Sequence, residues 1–375
     1  MVQPVMKAFA VTVALGSLLL SMSGCGGARP SATGSPTLAP ELTEKTAAHP
    51  VQLPPIDPRV QETLHQFNVG EYEVALPKLR QFSQDFSLSV TDRRTCLEAL
   101  AEFQAASQEE PAAIQTVSLL LREEPPVYAP DPDAKPLEYL RAYYVARKQK
   151  MGSFGVERAD PGVKTIAVMD FHNASITADA NRYDRLQVGL PQLLMFQFQS
   201  NVKLKVVERA RLDWLMGESK IQNDPAVFDA SQAVRVGKML GAHAVVFGTF
   251  MVVDRSRVRI SARLVKVETS EVLMTENIEG NPNDLMDLAD QLAVRLARRI
   301  NENETIKMAG FNPTQSLDAM LAYAEGLEIY HTQGPDLALE KFRIATQLDP
   351  KFELAKQKVT VIEQSRAMAA VGSKF

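Results

Sequence analysis

Cysteine is nearly absent from this chain. Two stand in 375 residues, Cys25 and Cys96. That excludes a framework of several disulfides and any metal cluster built on cysteines. Histidine is scarce as well. The five, His49, His65, His172, His243 and His331, are scattered, and none has a second histidine or a cysteine at ligand spacing. No glycine-rich phosphate loop, no nucleophile elbow and no His-Glu-x-x-His occurs. An excess of positive charge is also missing. Lys and Arg number 41 against 45 Asp and Glu, a net charge of −4, which argues against a nucleic-acid partner. Past Cys25 no apolar run reaches the roughly 20 residues that span a bilayer. No residue cluster implies a cofactor. What is present is ordinary globular composition, 45% hydrophobic and 23% charged, in a chain long enough for two or three domains.

The N-terminus is the most informative stretch. Lys7 supplies a positive region, an apolar run from Ala8 to Leu20 follows, and Met22-Ser23-Gly24 lead to Cys25. That order is a secretory signal over residues 1–24. The small-small-Cys ending also resembles the lipobox of bacterial lipoproteins, with Met22 where Leu is preferred. The resemblance implies acyl chains such as palmitate on Cys25, which becomes the first mature residue. Two or more chains, at ~0.8 kcal/mol per buried methylene, anchor stably. An incidental cysteine after an ordinary cleavage site is the other reading. Gly26, rather than Asp, after the cysteine resembles outer-membrane sorting. With Cys25 acylated, Cys96 has no disulfide partner. It lies in Cys96-Leu97-Glu98-Ala99-Leu100, a helix face, where a buried structural thiol is expected. Residues 25–58 are rich in Gly, Pro, Ser, Thr and Ala. They hold too little apolar surface to repay ordering, so a flexible tether is expected.

Residues 59–150 carry a helical pattern. Leu64, Phe67, Ala75, Leu76, Leu79 and Phe82 recur at three- and four-residue spacing. Gly70-Glu71-Tyr72 before Ala75-Leu76 resembles the turn and second helix of a tetratricopeptide repeat. Pro77 inside that helix should cost stability or kink it. Further helices are expected over Arg93–Ala106, Pro111–Arg122 and Leu137–Lys150. The last carries Tyr139, Tyr143 and Tyr144, either a stacking surface for a ligand or a packing stripe.

Composition changes at Thr165. Thr165–Phe171 is a nearly continuous apolar strand of the kind buried on both faces. An apolar helix, Tyr183–Phe198, leads to a second strand over Leu204–Glu208. Helices over Ala210–Glu218 and Ser231–Leu240 follow, with Gly241 as a stop. Ala244–Val253 is a third strand. In the fourth, Val258, Ile260, Ala262 and Leu264 alternate with Arg257, Arg259, Ser261 and Arg263. Val265 and Val267 break the alternation and predict a bulge or strand end. Thr269-Ser270 turns into a fifth strand, Val272–Ile278. Leu285, Leu288, Leu292, Leu296 and Ile300 mark one face of a long helix. The first two strands need a helical crossover and are expected parallel; the last three read as an antiparallel meander. The fold class is therefore α/β, a mixed parallel and antiparallel sheet packed with helices and flanked by helical, tetratricopeptide-like segments.

Several of these residues carry a resemblance. Ile166–Phe171 with Asn173, Val206-Val207-Glu208-Arg209 leading to Leu212, Gly237–Ala242 with Gly248, and Arg263–Thr269 stand in order over residues 160–305. Together they are similar to the periplasmic domain shared by CsgG-type curli-secretion lipoproteins, LpoB-type activators of penicillin-binding proteins and TolB N-terminal domains. Ser270 stands where those proteins often carry Gly. In residues 313–372, Gly326, Ala338, Phe342, Ala345 and Pro350 fall at tetratricopeptide spacing, with Gln333-Gly334-Pro335 as the turn and a further helix from Lys351 to about Ala370. A single repeat cannot bury its own face and must pack on something else.

Candidate sites are few. Arg255, Arg257, Arg259 and Arg263 line one strand face and its turn, either to grip an acidic partner or as a solvated face that discourages aggregation. His172, beside Asp170 and Asn173 at the end of the first strand, reads as a ligand site or as a turn with local hydrogen bonds. Glu208 and Arg209 after the second strand read as a ligand contact or as an ion pair near a helix start. The expectation is a non-catalytic envelope lipoprotein. It would be anchored through Cys25 on the periplasmic side of the outer membrane and bind envelope proteins, with homo-oligomerisation left open. A CsgG-like secretion-pore subunit is the alternative. It would need long amphipathic hairpins beyond those of the domain core, and none is seen. An enzyme with an unrecognised site is the third reading.

Overall fold

The strand at residues 164–173 is apolar on both sides because both sides are covered. The computed structural model describes residues 56–373 except 123–128, 154, 156–162, 178–179, 200–203, 220–224, 227 and 301–311. Cys25, the signal and the tether lie outside the described residues. Five strands form one sheet: β1 (Lys164–Asn173), β2 (Leu204–Val206), β3 (Ala244–Asp254), β4 (Arg257–Lys266) and β5 (Glu271–Gly280), in the order β2-β1-β3-β4-β5. β1 runs parallel to β2 and to β3, and β3, β4 and β5 are antiparallel.

The two crossovers leave on opposite faces. α6 (Leu186–Gln199) joins β1 to β2 on one face, together with α9 (Leu285–Ile300) after β5. Their apolar stripes bury Ile166, Val168, Val246, Ile260, Ala262 and Leu264. α7 (Arg209–Ser219) and α8 (Ala230–Leu240) join β2 to β3 on the other face, over Ala167, Met169, Val245, Phe247, Val265 and Val267. α8 opens on a capping box between Asp229 and Gln232 and closes on Gly241, whose φ of 63° is left-handed. The expected break near Val265 is a register shift between Leu264 and Val265 against β5. A second shift, between Val168 and Phe171 of β1, changes the side-chain parity. Phe171 thereby joins Ile166 and Val168 under α6, and Asp170 meets α7.

Helices from both ends of the sequence pack outside the layers that cover this sheet. α1 (Pro58–Asn68), α2 (Tyr72–Ser83), α3 (Val90–Ala106), α4 (Glu110–Leu120) and α5 (Leu137–Met151) precede it; α10 (Leu317–Thr332), α11 (Pro335–Leu348) and α12 (Glu353–Gly372) follow it. α2 runs through Pro77 as one helix. The tyrosines of α5 are packing residues. Tyr139 and Tyr143 are fully buried, and the Tyr144 ring lies 5.6 Å from that of Trp214 in α7. α12 binds the two helical segments together: Ile362 belongs to the main core, while Met368 packs among α1, α2 and α3 with Cys96. Burial pushes the Cys96 thiol up to about 12, away from reactivity.

Several boundaries differ from the sequence reading by two or three residues, two of them around the first crossover. The helix expected from Tyr183 begins as a 3-10 turn, Ala180–Tyr183, and becomes α-helical only at Leu186. The second strand ends at Val206: Val207 still donates to the Ile166 carbonyl of β1, but the carbonyl of Glu208 already accepts from Arg211 and Leu212 of α7.

Candidate functional site

Two places concentrate polar groups. The first is the open half of the sheet. α8 covers Phe247 and Val265, but toward the far ends of β3, β4 and β5 no described helix lies over that face. Register brings Phe247, Arg263 and Thr275 into one row, Thr249, Ser261 and Asn277 into the next, and Met251, Arg259 and Glu279 into a third. Arg257 and Arg259 keep more than half of their side-chain surface, at 56% and 54%. Arg259 pairs with Glu279 across the strands, and Ser261 donates to Asn277. Arg257 reaches Asp254 only at 3.8 Å. Arg263 is exposed and, like Arg255 in the turn, makes no ion pair among the described residues. The alternation of β4 thus puts Arg257, Arg259 and Arg263 on one solvated face, with Arg255 beside it.

The second place is a cleft of about 570 Å³ at the carboxyl end of β1, where the crossovers diverge. The start of α6, the start of α7 and the end of α10 line it. Arg209 lies at its base. Its Nη2 donates to Asp170 at 3.1 Å and its Nε to Asp213, one turn further along α7, at 2.9 Å. Burial disfavours the charge on Arg209, but the two carboxylates outweigh burial and raise its pKa above the ordinary arginine range. His331 of α10 contacts the same Asp213, Nδ1 to Oδ2 at 3.2 Å. Its side chain is 11% exposed. Burial lowers its pKa to about 4, helped by Arg209, Lys358 and Arg141 and opposed by Asp213. The ring is therefore neutral at pH 7 and packs against the Asp213 carboxylate. Arg185, just before α6, adds contacts to Glu325 and Glu328 of α10 at 3.3 and 3.2 Å. Every charged group in this seam has a partner within the chain, and the seam fixes the C-terminal hairpin to the α/β layer.

The sequence pointed to Asp170 and Arg209 separately and did not pair them. Asp213 was visible only as a carboxylate four residues after Arg209. His331 gave no signal, because its role depends on how α10 docks. His172 lies outside the cleft, in register with Thr249. Its neighbour Asn173 makes the local bonds: its amide donates to Asp184 at 2.7 Å and its oxygen accepts from the Ser175 N–H at 3.0 Å. His243 is structural, with Nδ1 accepting from the Thr165 N–H at 2.9 Å. In the C-terminal hairpin Phe342 fills the space over Gly326, where an added Cβ would lie 2.7 Å from the ring. Ala338 and Ala345 are fully buried, and Pro350 follows the end of α11.

Residues 149–257 match the model of the family described as curli production assembly/transport component CsgG. This stretch, from the end of α5 to the start of β4, is similar to that family. Three solved structures are similar to part of the chain at low identity. The LpoB C-terminal domain from Escherichia coli is 15% identical, covering 32% of this chain and 85% of that one, with a TM-score of 0.23. The lipoprotein GNA1162 from Neisseria meningitidis is 18% identical, covering 38% and 99%, with a TM-score of 0.25. The solution structure of Escherichia coli LpoB is 16% identical, covering 42% and 74%, with a TM-score of 0.23. No curated protein sequence matches the chain.

Proposed function

We propose that this chain is a non-catalytic envelope lipoprotein. Acylated Cys25 would anchor it on the periplasmic side of the outer membrane, and the folded unit would bind a protein partner there. The observation that carries the partner role is the open half of the sheet. Toward the far ends of β3, β4 and β5 the sheet leaves Arg257 and Arg263 in solvent without a close partner, beside a paired Arg259 and a row of short polar side chains. Such a face fits an acidic protein surface, and charge complementarity would steer the encounter. Restricting the module to the membrane raises its effective concentration for partners at the same surface. The lipobox-like N-terminus, the similarity of residues 149–257 to the CsgG family and the helices that flank this stretch support this reading.

Affinity purification of the native protein in mild detergent tests it. The wild type should bring down a defined envelope protein, and Arg257→Glu with Arg263→Glu should lose it while melting unchanged, because both side chains are exposed. Retention of every partner by that double variant would contradict the assignment. Rings embedded in membrane, seen by electron microscopy of the same sample, would favour a pore subunit instead.

A further inference from the structure

The helices α1, α2 and α3 run antiparallel in turn, so the start of α1, the end of α2 and the start of α3 share one end of the layer. The backbone N–H of Asp57 donates to Asp92 Oδ1 at 2.9 Å and locks α1 and α3 together there. This end carries a group of exposed apolar side chains. Phe86, in the loop between α2 and α3, is 82% exposed, with Ile56 at 39% and Val90 at 36% beside it. Two guanidiniums stack on the local aromatics: Arg93 lies 5.0 Å from the Phe86 ring centre and Arg59 lies 5.7 Å from that of Phe82. An exposed aromatic rimmed by arginine suits an interface where one end of the patch is apolar and the other wet. Residue 56 is also where the chain from Cys25 enters the fold.

We infer that this end of the helical layer, with Phe86 at its centre, rests on the lipid surface to which Cys25 is anchored. The inference depends on the lipid anchor proposed above and adds the orientation of the folded unit. Read from its sequence as a flexible tether, the 30-residue stretch 26–55 would span about 30 Å on average. The start of α1 is thereby held close to the bilayer, and even a weak apolar contact is populated at such short range. The opposite end of the same helices also exposes apolar groups, Val69 at 54% and Val74 at 47%. The two ends cannot face one bilayer together, and the entry point of the chain selects the end with Phe86.

The test uses the lipidated chain in vesicles of phosphatidylethanolamine and phosphatidylglycerol. Phe86→Cys places a reactive thiol at the patch, since Cys96 is fully buried and acylation consumes Cys25. A spin label at 86 should collide severalfold more with oxygen than with a water-soluble nickel chelate, and a label at Val74→Cys should show the reverse. Equal access of the nickel reagent to both labels would overturn the inference. Shielding of position 86 from both reagents would overturn it too, and would indicate residues 26–55 or a protein as the cover. Flotation and the N-terminal mass separate the two layers of the argument. An unacylated chain that fails to float would remove the anchor and this contact together. A floating, acylated chain with a water-exposed label at 86 would remove this contact alone. Both positions are exposed, so melting of the labelled variants should match the wild type.

Discussion

Acidification should loosen the hold of α10 on α7 through His331, by an amount the structure allows to be worked out. The ring is buried against Asp213 and has its pKa lowered to about 4, against 6.5 for an ordinary histidine. The unfolded chain therefore takes up the proton first as the pH falls. The contribution of His331 to stability is fully present above pH 6.5, declines from there, and levels off below about pH 4. The complete shift corresponds to about 3 kcal/mol, and about 2 kcal/mol of it is already lost at pH 5. The groups that face the ring are Asp213 and Arg209 from α7, Lys358 from α12 and Arg141 from α5, and the three cations oppose a second positive charge. Urea unfolding of the mature protein between pH 7.5 and 4.5 reads the effect, with His331→Gln as the reference. Asp290, pushed up to about 6 by burial and by Asp287, titrates in the same window with the opposite sign. It is present in both proteins and cancels in the difference. The wild type should lose about 2 kcal/mol more than the variant between pH 7.5 and 5. Parallel curves would refute the reasoning, because they would mean that the ring is already solvated or already paired as a cation.

Two further changes probe the packing. Arg209→Met removes the cation between Asp170 and Asp213, whose side chains are 9% and 22% exposed. It should cost about 3–5 kcal/mol in urea unfolding, and adding Asp170→Asn should recover part of that loss. Gly326→Ala inserts a Cβ at 2.7 Å from the Phe342 ring. Overpacking of about 1–3 kcal/mol should outweigh the gain of about 1 kcal/mol in helix propensity. The melting temperature should fall, and Phe342→Leu in the same chain should restore some of it.

The sheet was legible because its signals are local and strong. A two-sided apolar run gave β1, strict alternation gave β4, and Val265 after Leu264 gave the register shift against β5. Gly241 marked the end of α8 because only a left-handed residue closes that helix against the next strand. The cleft was not legible. Asp170 reaches Arg209 only because an irregularity in β1 changes the parity of the strand, and no propensity announces it. His331 reaches Asp213 only because α10 docks on the sheet layer, which depends on contacts distant in sequence. The buried tyrosines of α5 show the same limit: a stripe reveals that a helix has a packing face, but not that α7 supplies Trp214 to meet it.

The central claim is that a membrane-tethered module meets its partner on the open half of the sheet. The most direct measurement places a photo-crosslinking residue at Thr275, in the same row as Arg263, and irradiates living cells. The account predicts one discrete protein adduct at Thr275. It predicts no such adduct from Glu340 on the exposed side of α11, and loss of the Thr275 adduct with Arg257→Glu and Arg263→Glu. No adduct at Thr275, or the same adduct from both positions, would contradict it.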